Sequence, residues 1–265
     1  MKKLIALSAV LTLSALLSAC GGGAAQNSAE KAAGTASETG TLVYGSGDYT
    51  RINPAMDEHG EINILLFDGL TAHNGENEVV PGLAKSWEFE EASCTYTFHL
   101  AENVKWHDGE DFTADDVKFT IEAIMDPANG SENAPNYEDV EEIRVIDDHT
   151  MEFHLTAPNV AFLDYMSMPV LPEHLLAGED MQESDFFRNP VGTGPYRLEN
   201  WDVGQAITLV RNENYFKGAA NIERIVFKIV PDDTAKALQM KAGELDLALL
   251  PPRDADGYYL LSTKE

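Results

Sequence analysis

Two strictly alternating segments on either side of a capped helical pattern constrain this chain more than any other feature. In Cys94-Thr95-Tyr96-Thr97-Phe98-His99-Leu100 the period of two places Cys94, Tyr96, Phe98 and Leu100 on one face. In Thr150-Met151-Glu152-Phe153-His154-Leu155 it turns Met151, Phe153 and Leu155 inward, just after the turn-forming pair Asp147-Asp148. Each reads as a half-buried strand. Between them, Thr113 as N-cap and Asp116 at the third helical position make a capping box, with Asp in place of the usual Glu or Gln. The box predicts a helix running to about Met125, ended by Asp126-Pro127.

The flanking sequence has the same texture. Leu42-Val43-Tyr44 reads as a strand that Gly45-Ser46-Gly47-Asp48 turns into a loop, and Ile62 to Leu66 as a helix leading to the turn Phe67-Asp68-Gly69-Leu70. Tyr196-Arg197-Leu198 and Ile207 to Val210 flank Asp202-Val203-Gly204-Gln205 as a hairpin. Ile225 to Val230, apolar on both faces except for Lys228, predicts a strand inside a sheet. Asp232-Asp233-Thr234 caps a helix through Ala242 that Gly243 stops, and Leu245 to Leu250 reads as a further strand. The class is α+β, and no internal repeat is visible.

Composition narrows the function. With 44% hydrophobic residues the chain can build a core, while 18 Lys+Arg against 45 Asp+Glu give a formal charge of −27. Nucleic acid is therefore not an expected partner, because phosphate binding needs a basic face. Lys2 and Lys3 precede the apolar stretch Leu4 to Leu17, which is too short to span a bilayer and reads as a signal peptide over residues 1–19. Leu17-Ser18-Ala19-Cys20 resembles a bacterial lipobox, which implies cleavage before Cys20 and a lipid on its sulfur. Residues 20–40 hold no large apolar side chain and read as a tether between lipid and domain.

Catalytic and metal constellations mostly dissolve. His149 and His154 lie five apart on one expected strand and point to opposite faces, and the other histidines show neither His-x-x-x-His nor Cys-x-x-Cys spacing. Asp254-Ala255-Asp256-Gly257 imitates a calcium loop, yet puts Pro252 at the first ligand position and Thr263 at the last. Gly192-Thr193-Gly194 lacks a third glycine and precedes a strand, which rejects a dinucleotide fingerprint. Cys94 reads as a packed thiol, and Glu90-Glu91, Glu141-Glu142 and Asp147-Asp148 as solvated strand edges. No metal, cofactor or catalytic residue is expected, and the chain is not read as an enzyme.

Seven motifs in a fixed order then carry a resemblance. They are Arg51-Ile52-Asn53-Pro54, Phe67-Asp68-Gly69-Leu70, Val80-Pro81-Gly82-Leu83-Ala84-Lys85-Ser86-Trp87, Thr95 to Leu100, Val104-Lys105-Trp106-His107-Asp108-Gly109-Glu110, Phe112 to Val117, and Pro190-Val191-Gly192-Thr193-Gly194-Pro195-Tyr196. The chain from about Thr41 to Leu250 resembles the family 5 extracellular solute-binding proteins, receptors that deliver peptides, nickel chelates, opines and related solutes to ABC importers. The resemblance implies the first lobe of a type II periplasmic-binding-protein clamshell. Its core sheet would come from 41–66 and 190–265, with a smaller α+β subdomain, 67–189, inserted between them. Trp87, Trp106 and Tyr196 are expected to serve architecture, and Gly109 and Gly194 to permit tight or left-handed turns.

Members of that family are about twice this long, so the second lobe is expected to be absent here, through fragmentation, truncation or an interrupted gene. One lobe alone would bind weakly, since closure of two lobes excludes water from the solute. The resemblance places first-lobe cleft positions at Asp57, Glu58, His59 and Glu61, and at Tyr165, Met166 and Met168. The acidic group would pair with a cationic solute or a peptide amino terminus. Nickel-chelate receptors carry an arginine near Met166-Ser167-Met168, where this chain has none. The leading expectation is a lipid-anchored receptor on the extracytoplasmic face of the cell membrane, with a peptide or similar small solute and ABC permease subunits as partners. The alternatives are a non-transporting truncated surface lipoprotein and an extracellular hydrolase using paired carboxylates.

Overall fold

The computed structural model describes residues 40–56 and 60–251. The signal peptide and most of the tether with Cys20, the trio Asp57, Glu58 and His59, and the calcium-like stretch 254–257 lie outside the described residues. In chain order the elements are β1 (Thr41–Ser46), α1 (Gly60–Leu66), β2 (Thr71–His73), β3 (Val79–Pro81), β4 (Ala84–Glu90), β5 (Thr95–Leu100), α2 (Ala114–Met125), β6 (Val140–Asp147) and β7 (Thr150–Leu155). There follow α3 (Phe162–Tyr165), α4 (Glu173–Leu176), β8 (Tyr196–Asp202), β9 (Ala206–Arg211), β10 (Arg224–Ile229), α5 (Asp233–Ala242) and β11 (Leu247–Ala248).

A five-stranded mixed sheet runs in the order β11-β1-β10-β9-β8. β1 lies parallel to both β10 and β11, so the first strand pairs with partners some 180 to 200 residues farther on, whereas β10, β9 and β8 are antiparallel neighbours. The stretch between β1 and β8 makes its own four-stranded antiparallel sheet, β4-β5-β7-β6, and the small ladder β2-β3. Alternation explains the second sheet. Tyr96, Phe98, Leu100, Met151, Phe153 and Leu155 are all buried, and the rings of Phe98 and Phe153 meet edge to face at 5.7 Å, with Phe162 of α3 at 5.5 Å from Phe153. α2 begins and ends as its capping box predicts, and α5 starts at the Asp232 cap and stops at Gly243 in the left-handed conformation, φ 74°.

Several expectations need correction. Cys94 lies outside the strand, since residues 91–94 form the β4–β5 turn and Cys94 closes it with φ 50°, yet its side chain packs against the core as expected of a packed thiol. His149 likewise sits in the β6–β7 turn, so the comparison of its face with that of His154 falls away. β1 does not stop at Gly45. That glycine pairs with Lys228 and Ala248, and a Cβ on it would lie 2.6 Å from Leu245 Cδ1. β10 buries only Ile225 and Phe227 fully, although it holds the centre of its sheet, and the last strand shrinks to Leu247–Ala248. Gly109 does adopt φ 101°, but Gly194 does not take a left-handed conformation. Its reason is close approach: a Cβ on Gly194 would meet the carbonyl carbon of Leu66 at 2.5 Å, and one on Gly192 the Leu66 oxygen at 1.7 Å.

Candidate functional site

The loop that follows Asn53-Pro54 rises from a fixed base. Ile52 N–H donates to Phe187 O at 2.9 Å, Asn53 Nδ2 to Met181 O at 2.7 Å, and Ser131 Oγ to Ala55 O at 2.5 Å. Buried polar groups tied to backbone in this way hold one geometry. The chain re-enters the described region at α1, whose first turn carries Glu61. Tyr44, at the buried end of β1, donates its phenol O–H to Glu61 Oε1 in a short hydrogen bond. Burial foremost, and then the adjacent Glu61 carboxylate, push the Tyr44 phenol well above its ordinary range, so Tyr44 stays a donor. The rings of Tyr44 and Tyr49 both meet Phe227 edge to face, at 5.3 and 6.3 Å.

Glu61 and Tyr44 stand at the edge of an apolar groove of about 550 Å³ on the five-stranded sheet. Leu42, Ile64, Leu65, Ile225, Leu247 and Leu249 line it, and Ile64 and Leu249 are 69% and 71% exposed. Apolar side chains left open to this degree mark a surface suited to an apolar partner.

The second group of positions is placed differently. Met166 is 2% exposed and belongs to the hydrophobic core, its carbonyl accepting from Thr71 N–H at 3.1 Å. It is packed against the core rather than presented to solvent in this lobe. Tyr165 and Met168 are half-buried against that core, and the Tyr165 carbonyl accepts the Tyr137 phenol at 2.8 Å. Among the described residues no hydrogen bond joins Glu61 to Tyr165, Met166 or Met168. The acidic pairs Glu90-Glu91, Glu141-Glu142 and Asp147-Asp148 are all exposed, the first two on the edge strands β4 and β6 or beside them.

Two structural centres were not legible from single motifs. His107 staples the loop of Trp106 to that of Gly192: its Nδ1 accepts Gly192 N–H at 3.1 Å, and its Nε2–H donates to Gly194 O at 3.0 Å. Only the neutral imidazole protonated on Nε2 satisfies both bonds, and burial lowers its pKa from 6.5 to about 4. Asp68, from the Phe67–Leu70 turn, accepts from Tyr215 Oη at 2.8 Å and Thr193 Oγ1 at 3.3 Å, and burial raises its carboxyl pKa. The aromatic motif residues do serve architecture. Trp106 is buried and donates from Nε1 to Asp116 Oδ2 at 3.2 Å, while Tyr196 reaches Ile222 O at 3.0 Å.

A parallel β1–β10 core with an antiparallel sheet built from the intervening chain, and an open apolar groove that carries Glu61, define an α+β protein of the type II periplasmic-binding-protein class. Comparison with known structures agrees. NikZ from Campylobacter jejuni, solved in complex with Ni(L-His), superposes with a TM-score of 0.77 at 36% identity, over 80% of this chain and 43% of that one. The oligopeptide-binding protein AppA from Bacillus subtilis, in complex with a nonapeptide, gives 0.73 at 28% identity, over 81% and 44%.

The family model "Bacterial extracellular solute-binding proteins, family 5 Middle" matches residues 78–264, and the chain belongs to that family. In sequence, AppA of Bacillus subtilis is 32% identical over 262 residues, which is 95% of this chain and 48% of AppA. Di/tripeptide-binding protein 1 of Pseudomonas aeruginosa is 31% identical over 216 residues, 72% of this chain and 40% of that protein. The chain spans about half the length of the curated relatives it matches.

Proposed function

We propose that the chain contributes the first lobe of an extracytoplasmic solute receptor for an ABC importer, that the solute is a peptide, and that Cys20 carries a lipid anchor. On this reading 41–66 and 190–265 make the lobe's core and 67–189 an inserted subdomain, in keeping with the two sheets. The observation that carries the peptide assignment is Glu61, a carboxylate fixed by Tyr44 at the edge of an apolar groove. A peptide amino terminus supplies the ammonium and its side chains the apolar surface. Asp57, Glu58 and His59 lie just before α1 in sequence and would add to the acidic group that Glu61 begins, with Tyr165, Met166 and Met168 as the second set of cleft positions.

The test is thermal unfolding of the native protein, purified from membranes, with a panel of di- to nonapeptides and with Ni(L-His). A ligand at a hundred times its Kd stabilises by about 2.7 kcal/mol. Peptide-dependent stabilisation that Glu61→Gln weakens is the expected result, whereas stabilisation by Ni(L-His) alone would replace the peptide assignment. Mass spectrometry of the N-terminal fragment checks the anchor. A diacylglyceryl adduct is expected on Cys20, and an unmodified thiol refutes it.

A further inference from the structure

Asparagine followed directly by glycine occurs twice in the chain, at Asn74-Gly75 and at Asn129-Gly130, and the fold treats the two pairs differently. The pair is chemically special because a glycine has no Cβ to shield its own peptide nitrogen. That nitrogen can then reach the amide carbon of the asparagine side chain before it.

At the β2–β3 turn the Asn74 side chain is fixed by three hydrogen bonds. Its Oδ1 accepts from the backbone N–H of Glu76 at 3.0 Å and of Glu78 at 2.8 Å, and its Nδ2 donates to Glu78 Oε2 at 2.9 Å. Two N–H donors require an oxygen and a carboxylate requires an N–H, so the partners settle which way the amide points. An amide oxygen bonded to the N–H two residues on lays its carbon beside the intervening peptide nitrogen, here that of Gly75. The same two N–H groups face the oxygen that gains negative charge when this nitrogen attacks, an arrangement that lowers the barrier of acyl transfer. Glu78 stands at the nitrogen that has to leave. The imidazole next door is engaged elsewhere, His73 Nε2 lying 3.0 Å from Asp164 Oδ1. Around Gly75 the space is open, with nothing within 4 Å of where a Cβ would lie.

Asn129 has the same neighbour in sequence and a different environment. Its Nδ2 donates to Ala123 O at 2.9 Å near the end of α2, and its main-chain carbonyl accepts from Gln182 Nε2. Among the described residues no backbone N–H donates to its Oδ1, and Gly130 is held in the left-handed region at φ 61°.

We propose that Asn74 is a site of spontaneous deamidation assisted by its own turn. The Gly75 nitrogen bonds to the Asn74 side-chain carbon and gives up its proton. The bond from that carbon to Nδ2 breaks, and Nδ2 leaves as ammonia with the proton, which the Glu78 carboxylate carries across. The cyclic imide left behind takes up one water, which opens it at either carbonyl to give aspartate or isoaspartate. The net change is amide and water to acid and ammonia, with nothing oxidised or reduced.

The products would alter a hairpin that is tied at both ends. Its base is held by Thr71, whose N–H donates to Met166 O at 3.1 Å and whose Oγ1 donates to Leu163 O at 2.7 Å. Its turn closes through Asn74 N–H to Glu78 O and Asn77 N–H to Asn74 O, both at 3.0 Å. Either product sets a new carboxylate against that of Glu78, and isoaspartate adds a carbon to the main chain inside the turn. The hairpin shares no residue with the groove of Glu61, so this inference does not depend on the peptide reading.

The test incubates the full chain at mildly alkaline pH, native and in concentrated guanidinium chloride. Digested samples are followed by mass spectrometry, with isoaspartyl methyltransferase labelling to separate the two products. In the native chain Asn74 is expected to deamidate at least tenfold faster than Asn129, and in the denaturant the two rates are expected to converge. Gly75→Ala, which the open surroundings accommodate, is expected to slow the native reaction at Asn74 at least tenfold. Glu78→Gln, which keeps an acceptor but cannot carry the proton, is expected to slow it at least threefold, with Asn129 as the internal reference in both variants. Equal native rates at the two asparagines, or a preference for Asn74 that persists undiminished in the denaturant, overturns the proposal. A rate at Asn74 that Glu78→Gln leaves unchanged refutes the part assigned to that carboxylate.

Discussion

Acidification isolates the contribution of His107 to stability. In the unfolded chain its imidazole has a pKa near 6.5. In the fold, burial foremost lowers it to about 4, with the charge of Arg197 adding to the effect and the bond to Gly194 opposing it. The folded-state pKa is depressed, so the contribution is fully present above pH 6.5 and is lost as the pH falls toward 4, because only the unfolded chain takes up the proton in that window. The two pKa values give a loss of about 2 kcal/mol at pH 5 and about 3 kcal/mol at pH 4. The geometry states the same cost differently: a proton on Nδ1 would set it against the Gly192 N–H, donor facing donor. Urea unfolding of the chain and of His107→Gln at pH 7.5, 6, 5 and 4.5 provides the assay. The stability advantage of the unsubstituted chain is expected to shrink by about 2 kcal/mol between pH 7.5 and pH 5, whatever its value at neutral pH. A difference that stays constant to within about 0.5 kcal/mol over that range would refute the buried neutral imidazole.

Substitutions at three further positions probe the same framework by urea unfolding. Asp116 accepts from Thr113 N–H at 2.9 Å, Glu173 N–H at 2.9 Å and Trp106 Nε1–H at 3.2 Å, so Asp116→Ala is expected to cost about 3–5 kcal/mol; Asp116→Asn, which keeps one acceptor oxygen, is expected to cost clearly less. Gly192→Ala drives a methyl group into the Leu66 carbonyl and is expected to cost about 3 kcal/mol or to prevent folding, whereas a neutral result would mean that the loop is free to shift. Tyr215→Phe removes the shortest hydrogen bond to Asp68 and is expected to cost about 1–3 kcal/mol, with little effect if water replaces the phenol.

How much of this was legible in the sequence depends on the range of the interaction. The capping box of α2, the Gly243 stop and the inward faces of β5 and β7 follow from neighbours within a few positions, and the sequence carries those signals directly. Cys94 and Gly45 show where local pattern fails. Alternation continued one residue past the strand because the turn borrowed its last position, and a glycine that looked like a breaker was required by the Leu245 side chain lying over it. Met166 shows a related limit: the sequence does not say how deeply a methionine is packed, and the structure places this one in the core. For Glu61 the charge was legible, but its hydrogen bond from Tyr44, seventeen residues away, was not.

The motifs that identify the family turn out to join the two sheets. His107 and Asp116 belong to the intervening chain, Gly192 and Gly194 to the return into the main sheet, and Leu66 to the helix that leaves it. Gly194 N–H donates to Leu66 O at 2.9 Å, while His107 holds both glycine peptides from the other side. Each motif alone reads as a turn, and together they fasten an inserted sheet to its host at one junction. Such a junction tolerates almost no change of size or charge, because backbone meets backbone there with no side chain to yield. The apolar groove is lined instead by side chains of β1, α1, β10 and β11, Ile64 and Leu247 among them exposed, where substitution leaves the backbone in place. The residues that name the family thus build the frame, and the groove beside it is lined by side chains that the quoted motifs do not include.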